Sequence, residues 1–110
     1  MTTNPSLEAN LLAAKSCVKE MMKSWSLWNS ASTDDQKEPH IANYAAAFTL
    51  CKVYIENYLR HLYPIEAKVP QKVARDIKVI VSEMDAIEKV SDRTLKKVIK
   101  DIDQLSRDAA

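Results

Sequence analysis

The chain has 110 residues, a net charge of +1, 46% hydrophobic and 28% charged residues, two cysteines and no glycine. That is one domain, 1–110, long enough for a single core without staples. The lack of glycine argues against primed β-turns and phosphate-binding glycine loops, and the near-zero charge gives no global signal for a polyanion.

Residues rich in Ala, Leu, Lys, Met and Glu point to helices. Asn4 followed by Pro5 reads as a cap and first helical position. Leu7, Leu11, Ala14, Val18, Met21, Trp25 and Trp28 then recur at alternating spacings of four and three. Such a stripe is one apolar helix face packed at a shallow crossing angle. Lys15, Lys19 and Lys23 form a basic ridge on another face, and the helix is expected to end near Asn29.

Residues 29–40 are polar and carry three acids. Thr33 to Gln36 matches a capping box. Pro39 clashes with a helix begun at Thr33, so the main helix is expected to start at Pro39, after at most one short turn.

This second helix, 39–63, holds all four tyrosines, the one phenylalanine and both histidines. Because it looks apolar nearly all round, it is expected to be the hub of the fold. Its core stripe is Ile41, Tyr44, Phe48, Cys51, Ile55, Tyr58 and Leu62. Lys52, Glu56 and Arg60 form a narrow ionic stripe. A third arc, Ala46, Leu50, Val53, Tyr54, Asn57 and His61, has no role in either. An antiparallel pairing of the first two helices places Cys17 level with Cys51 and Trp25 near Tyr44.

Tyr63-Pro64 ends this helix. Pro70 is expected as the first position of a third, with Val73, Ile77, Ile80, Met84 and Ile87 on its inner face. The stripe then slips and resumes as Leu95, Val98, Ile102, Leu105 and Ala109. Ser91-Asp92 is an N-cap candidate, which favours a turn there and an up-and-down antiparallel four-helix bundle. The alternative is three helices, the last long and kinked.

No metal site is expected, because the Glu-x-x-His pairs that bundles use are absent. No catalytic residue, cofactor or small-molecule substrate is expected either. Cys17 and Cys51 fall mid-helix among apolar residues, and both histidines fall at helix ends, so the thiols read as structural. With no apolar run of spanning length and no signal-peptide pattern, the expected place is the cytoplasm, with reduced thiols.

The function expected is a non-enzymatic protein–protein interaction or assembly module, with another protein or a second copy as partner. Its surface is the third arc, Ala46, Leu50, Val53, Tyr54, Asn57 and His61, with Trp28 as an anchor if exposed. The alternative is a small subunit that binds nucleic-acid backbone within a nucleoprotein. Lys15, Lys19 and Lys23 would combine with Arg93, Lys96, Lys97, Lys100 and Arg107 on a neighbouring last helix. No aromatic is interleaved with these cations, which disfavours base stacking.

Overall fold

The computed structural model describes residues 5–109. They form an all-α four-helix bundle: α1 Pro5–Ser30, α2 Asp34–Leu62, α3 Gln71–Glu83 and α4 Asp92–Ala109, with 3-10 turns at Glu66–Lys68 and Ile87–Lys89. The bundle is elongated, 51 × 24 × 22 Å. Pro5 opens α1 as expected; Asn4, the expected cap, lies outside the described residues.

The alternating stripes form the core. Leu11, Ala14, Val18 and Met21 from α1 meet Tyr44, Ala47, Cys51, Ile55 and Tyr58 from α2 and Leu95, Val98, Ile102 and Leu105 from α4. A salt bridge of 2.7 Å from Lys15 to Asp103 sets the register between α1 and α4. At the opposite side the Tyr63 hydroxyl donates to the Ala109 carbonyl at 3.0 Å, tying together the C-terminal ends of α2 and α4. These two helices therefore run parallel, and α1 and α3 run against them.

The hub is not the helix that the sequence nominates. The backbone of α1 lies close to both α2 and α4, and α3 lies close to α4. The backbone of α2 approaches the second half of the chain mainly at the turn Ile87–Lys89, and its side chains, Tyr44 and Tyr58 among them, make the rest of the contact. The Tyr44 hydroxyl donates to the Met84 carbonyl at 2.7 Å in a buried setting. Met84 caps α3, so Tyr44 satisfies a carbonyl that the end of the helix leaves without an internal partner.

Two boundaries differ from expectation. First, α2 starts at Asp34, and Pro39 sits inside it. The Thr33 side chain accepts from the Gln36 backbone N–H at 3.2 Å, and Gln36 Oε1 accepts from the Ser32 N–H at 3.0 Å. With Asp34 and Asp35 at the positive end of the helix dipole, this cap offsets the single hydrogen bond that Pro39 cannot make to Asp35. Thr33→Ala is accordingly expected to cost about 1 kcal/mol and to lower Tm by roughly 4 °C in a thermal melt. A helix begun at Pro39 would be indifferent to the change.

Second, α3 stops at Glu83, short of Ile87. Met84, Ile87 and Val90 are still buried, but from a compact non-helical segment that covers one end of the core. Pro70 sits one place before the first helical residue, Gln71. The turn expected near Ser91 is present. Ser91 Oγ accepts the Thr94 N–H at 3.2 Å, and the Ser91 carbonyl accepts the Leu95 N–H at 3.0 Å.

Candidate interaction surface

Seen down α2, the buried residues centre on Cys51 and the exposed ones on Val53 and Arg60. A helix turns 100° per residue, so the third arc falls between the side buried against α1 and open solvent. Ala46, Asn57 and His61 are exposed, as are Leu50 (51%) and Val53 (43%), while Tyr54 is half-buried against the core. His61 Nδ1 donates to the Asn57 carbonyl of its own helix at 2.7 Å, which fixes the ring and leaves Nε2 outward.

The second wall of this surface comes from α1. Ala13, Ser16, Cys17 and Glu20 line one shallow depression of about 380 Å³ together with Ala47, Leu50 and Tyr54. Periodicity gave no sign of this wall, because Ala13 and Ser16 lie off the heptad stripe of α1 and neither is large. Leu12 (63%) and Leu27 (47%) are also exposed on α1. Of the triple alanine, only Ala47 is buried at the helix contact, and Ala45 and Ala46 face outward.

Trp28 does not join the arc. It packs half-buried against the core, and the Lys37 ammonium sits 5.1 Å from its ring centroid. Lys37 is about 20 Å along α2 from Leu50 at the helical rise. The condition for Trp28 as an anchor, open exposure, is thus not met: Lys37 and the core cover much of the ring.

Both cysteines are free. Cys51 is fully buried and Cys17 half-buried at the depression. Burial pushes the Cys51 thiol up to about 12, and the neighbouring Cys17 adds to this. The two thiols therefore lie near one another, as the pairing of the helices anticipates. Cys17 is also raised, by burial first and by Glu20 second. Such thiols are neutral and unreactive near pH 7.

The basic residues divide. Lys15 is tied to Asp103, Lys96 to Asp92 at 2.9 Å, and Lys97 to Glu83 of α3 at 2.7 Å and Asp101 at 3.0 Å. Lys97 therefore faces α3 rather than α1. Arg107 donates to Gln104 at 3.0 Å. Lys19, Lys23, Arg93 and Lys100 are exposed and make no ion pair among the described residues. Across the seam of α3 and α4, Asp76 and Asp108 share a hydrogen bond that holds the Asp76 carboxyl up and the Asp108 carboxyl down. Lys72 approaches Asp108 at 3.3 Å.

Among the described residues no group of three His, Cys, Asp or Glu side chains is placed to hold a metal ion. No described helix is long and apolar enough to cross a membrane. Comparison with protein-family models, with curated proteins and with solved structures finds no match.

Proposed function

We propose that the chain is a non-enzymatic interaction or assembly module that works through the outer face of the α1–α2 pair, against another protein or a second copy of itself. The observation that supports this most is Leu50, half exposed with Val53 a turn away, at the rim of the depression shared with Ala13 and Cys17. Single exposed apolar residues are ordinary, but a contiguous apolar surface edged by polar groups marks a contact site. Asn57, Tyr54, His61 and Glu20 supply that edge. Association would bury the two aliphatic side chains and leave the rim to orient the partner. Two free thiols suit the reducing cytoplasm, which is where we place the protein.

The test is the effect of Leu50→Glu on mass and on partner capture. Light scattering of the wild type is expected to give a mass above the 12.5 kDa of one chain, rising with concentration, or a native pull-down is expected to retain a specific protein. The variant should lose either behaviour. Because Leu50 is exposed, its melt should stay within about 0.5 kcal/mol of wild type. A wild type that stays monomeric at high concentration, with no partner sensitive to the substitution, removes this reading.

A further inference from the structure

Besides the apolar face there is a second surface, on the seam between α1 and α4. The Lys15–Asp103 bridge fixes how these antiparallel helices slide. Counting from it, Lys19 lies within one residue of the level of Lys100, and Lys23 within one residue of the level of Lys96. Each pair along a helix is one turn, about 6 Å, apart, and adjacent helix axes are about 8–10 Å apart. The backbone positions of the four lysines thus lie near the corners of a rectangle of those dimensions. Arg93 extends it at the N-terminal end of α4. The acids beside it are already engaged: Asp92 by Lys96 at 2.9 Å, and Glu83 of α3 by Lys97 at 2.7 Å. On the outer side of α4, Arg93, Lys96 and Lys100 line a depression of about 700 Å³ together with Asp92, Lys97 and Glu83.

A chain of net charge +1 therefore concentrates positive charge on one half-face. Between the two rows α4 presents Ile99, which packs against the core, so no exposed apolar or aromatic group interrupts the lysines. Protein interfaces are depleted of lysine at their centres, whereas nucleic-acid interfaces are polar and strongly positive. We propose that this strip binds the phosphate backbone of a nucleic-acid duplex. With no aromatic platform and no bidentate reader, it would not distinguish base sequence. Lys15 and Arg107 lie below it, beside Asp103 and Glu8, where the charges cancel. Lys97 is occupied on the α3 side.

The experiment is fluorescence anisotropy of a labelled 25-base-pair DNA duplex at rising salt. Neutralising about four phosphates gives a slope of log K against log salt of roughly −3.6, so affinity should fall about a hundredfold between 50 and 200 mM salt. Two unrelated duplex sequences should bind alike. Lys19→Glu with Lys100→Glu should abolish binding. Lys68→Glu with Lys78→Glu changes the net charge equally on the α3 side of the molecule and should leave most of it. Circular dichroism checks that both variants stay folded. Three results overturn the proposal: no binding at 50 mM salt, equal loss in both variants, or binding to phosphatidylserine vesicles or polyglutamate but not to the duplex.

Discussion

Ile102→Ala is expected to destabilise the protein by about 3–4 kcal/mol, a drop in Tm of roughly 15 °C. Ile102 is fully buried on α4, the helix against which both α1 and α3 pack. Removing its outer carbons leaves a cavity that the helices cannot close, because Val18, Val98 and Leu105 are themselves fully buried and held in place. Against a total stability of about 5–15 kcal/mol for a domain of this kind, that is a large fraction. Ile41→Ala removes the same atoms from a residue 44% exposed on α2 and should cost under about 1 kcal/mol. Urea melts of the two variants side by side check the layering. Equal losses would mean that α4 does not sit where its contacts place it.

That contrast also separates what was legible in the sequence from what was not. Ile41 and Ile102 both lie on clean stripes of alternating spacing, and periodicity cannot rank them. A stripe records that a face is apolar, not how many neighbours cover it. The side of α2 that carries Ile41, Phe48, Lys52 and Leu59 lies away from the wall that α2 shares with α1. Because α3 is only 13 residues long and packs on α4, this side is half covered or open. The same gap moves the hub from α2 to α1. Composition could suggest a centre, but which helices touch depends on lengths and connections fixed by α3 ending at Glu83. That end was hidden because Met84 and Ile87 continue the stripe numerically while leaving the helix. The Tyr44 hydroxyl, from a helix forty residues away in sequence, takes the carbonyl at the break. The caps were more readable. Ser91 and Thr33 each bond a backbone N–H of the turn that they begin, so the signal is local. Pro39 misled only because its rule, applied alone, outweighed a reciprocal cap of two hydrogen bonds.

The candidate surfaces follow the same division. Helical spacing isolated the arc Ala46, Leu50, Val53, Tyr54, Asn57 and His61, since it belongs to neither the core stripe nor the ionic stripe, although Tyr54 then packs half-buried against the core. Its partner wall on α1 needed the pairing of the helices. On the basic side, spacing put Lys15, Lys19 and Lys23 on one face of α1 and Arg93, Lys96, Lys97, Lys100 and Arg107 into one ridge on α4. It could not tell that Lys97 leaves that ridge for Glu83 while Lys19 and Lys100 come within a residue of level, because that depends on how α4 sits against α3 and on the register set by Lys15 and Asp103.

Stability is expected to fall steeply above pH 9, and the cause is assignable to two buried groups. Burial raises Cys51 from an ordinary 9.0 to about 12, with Cys17 adding to the shift. Tyr44 is raised above its ordinary 10.0 by burial, then by Asp85 and Cys51. Each group has a higher pKa folded than unfolded. Its contribution is therefore fully present below the unfolded value and is lost as pH climbs from there toward the folded value. Between pH 9 and 10 Cys51 leads, at up to about 1.4 kcal/mol per pH unit, with a smaller share from the less buried Cys17, and above pH 10 Tyr44, joined by Tyr58, steepens the slope further. Urea unfolding at intervals from pH 8 to 11 reads this directly. Cys51→Ala should start lower, because it opens a small cavity, but should decline more gently from pH 9 onward. Tyr44→Phe, having lost the bond to the Met84 carbonyl, should start about 1–3 kcal/mol lower and differ in slope only above pH 10. A Cys51→Ala variant that declines as steeply as wild type between pH 9 and 10 would move the cause elsewhere. The next groups to vary would then be Cys17 and Tyr58, both of which are also raised by burial.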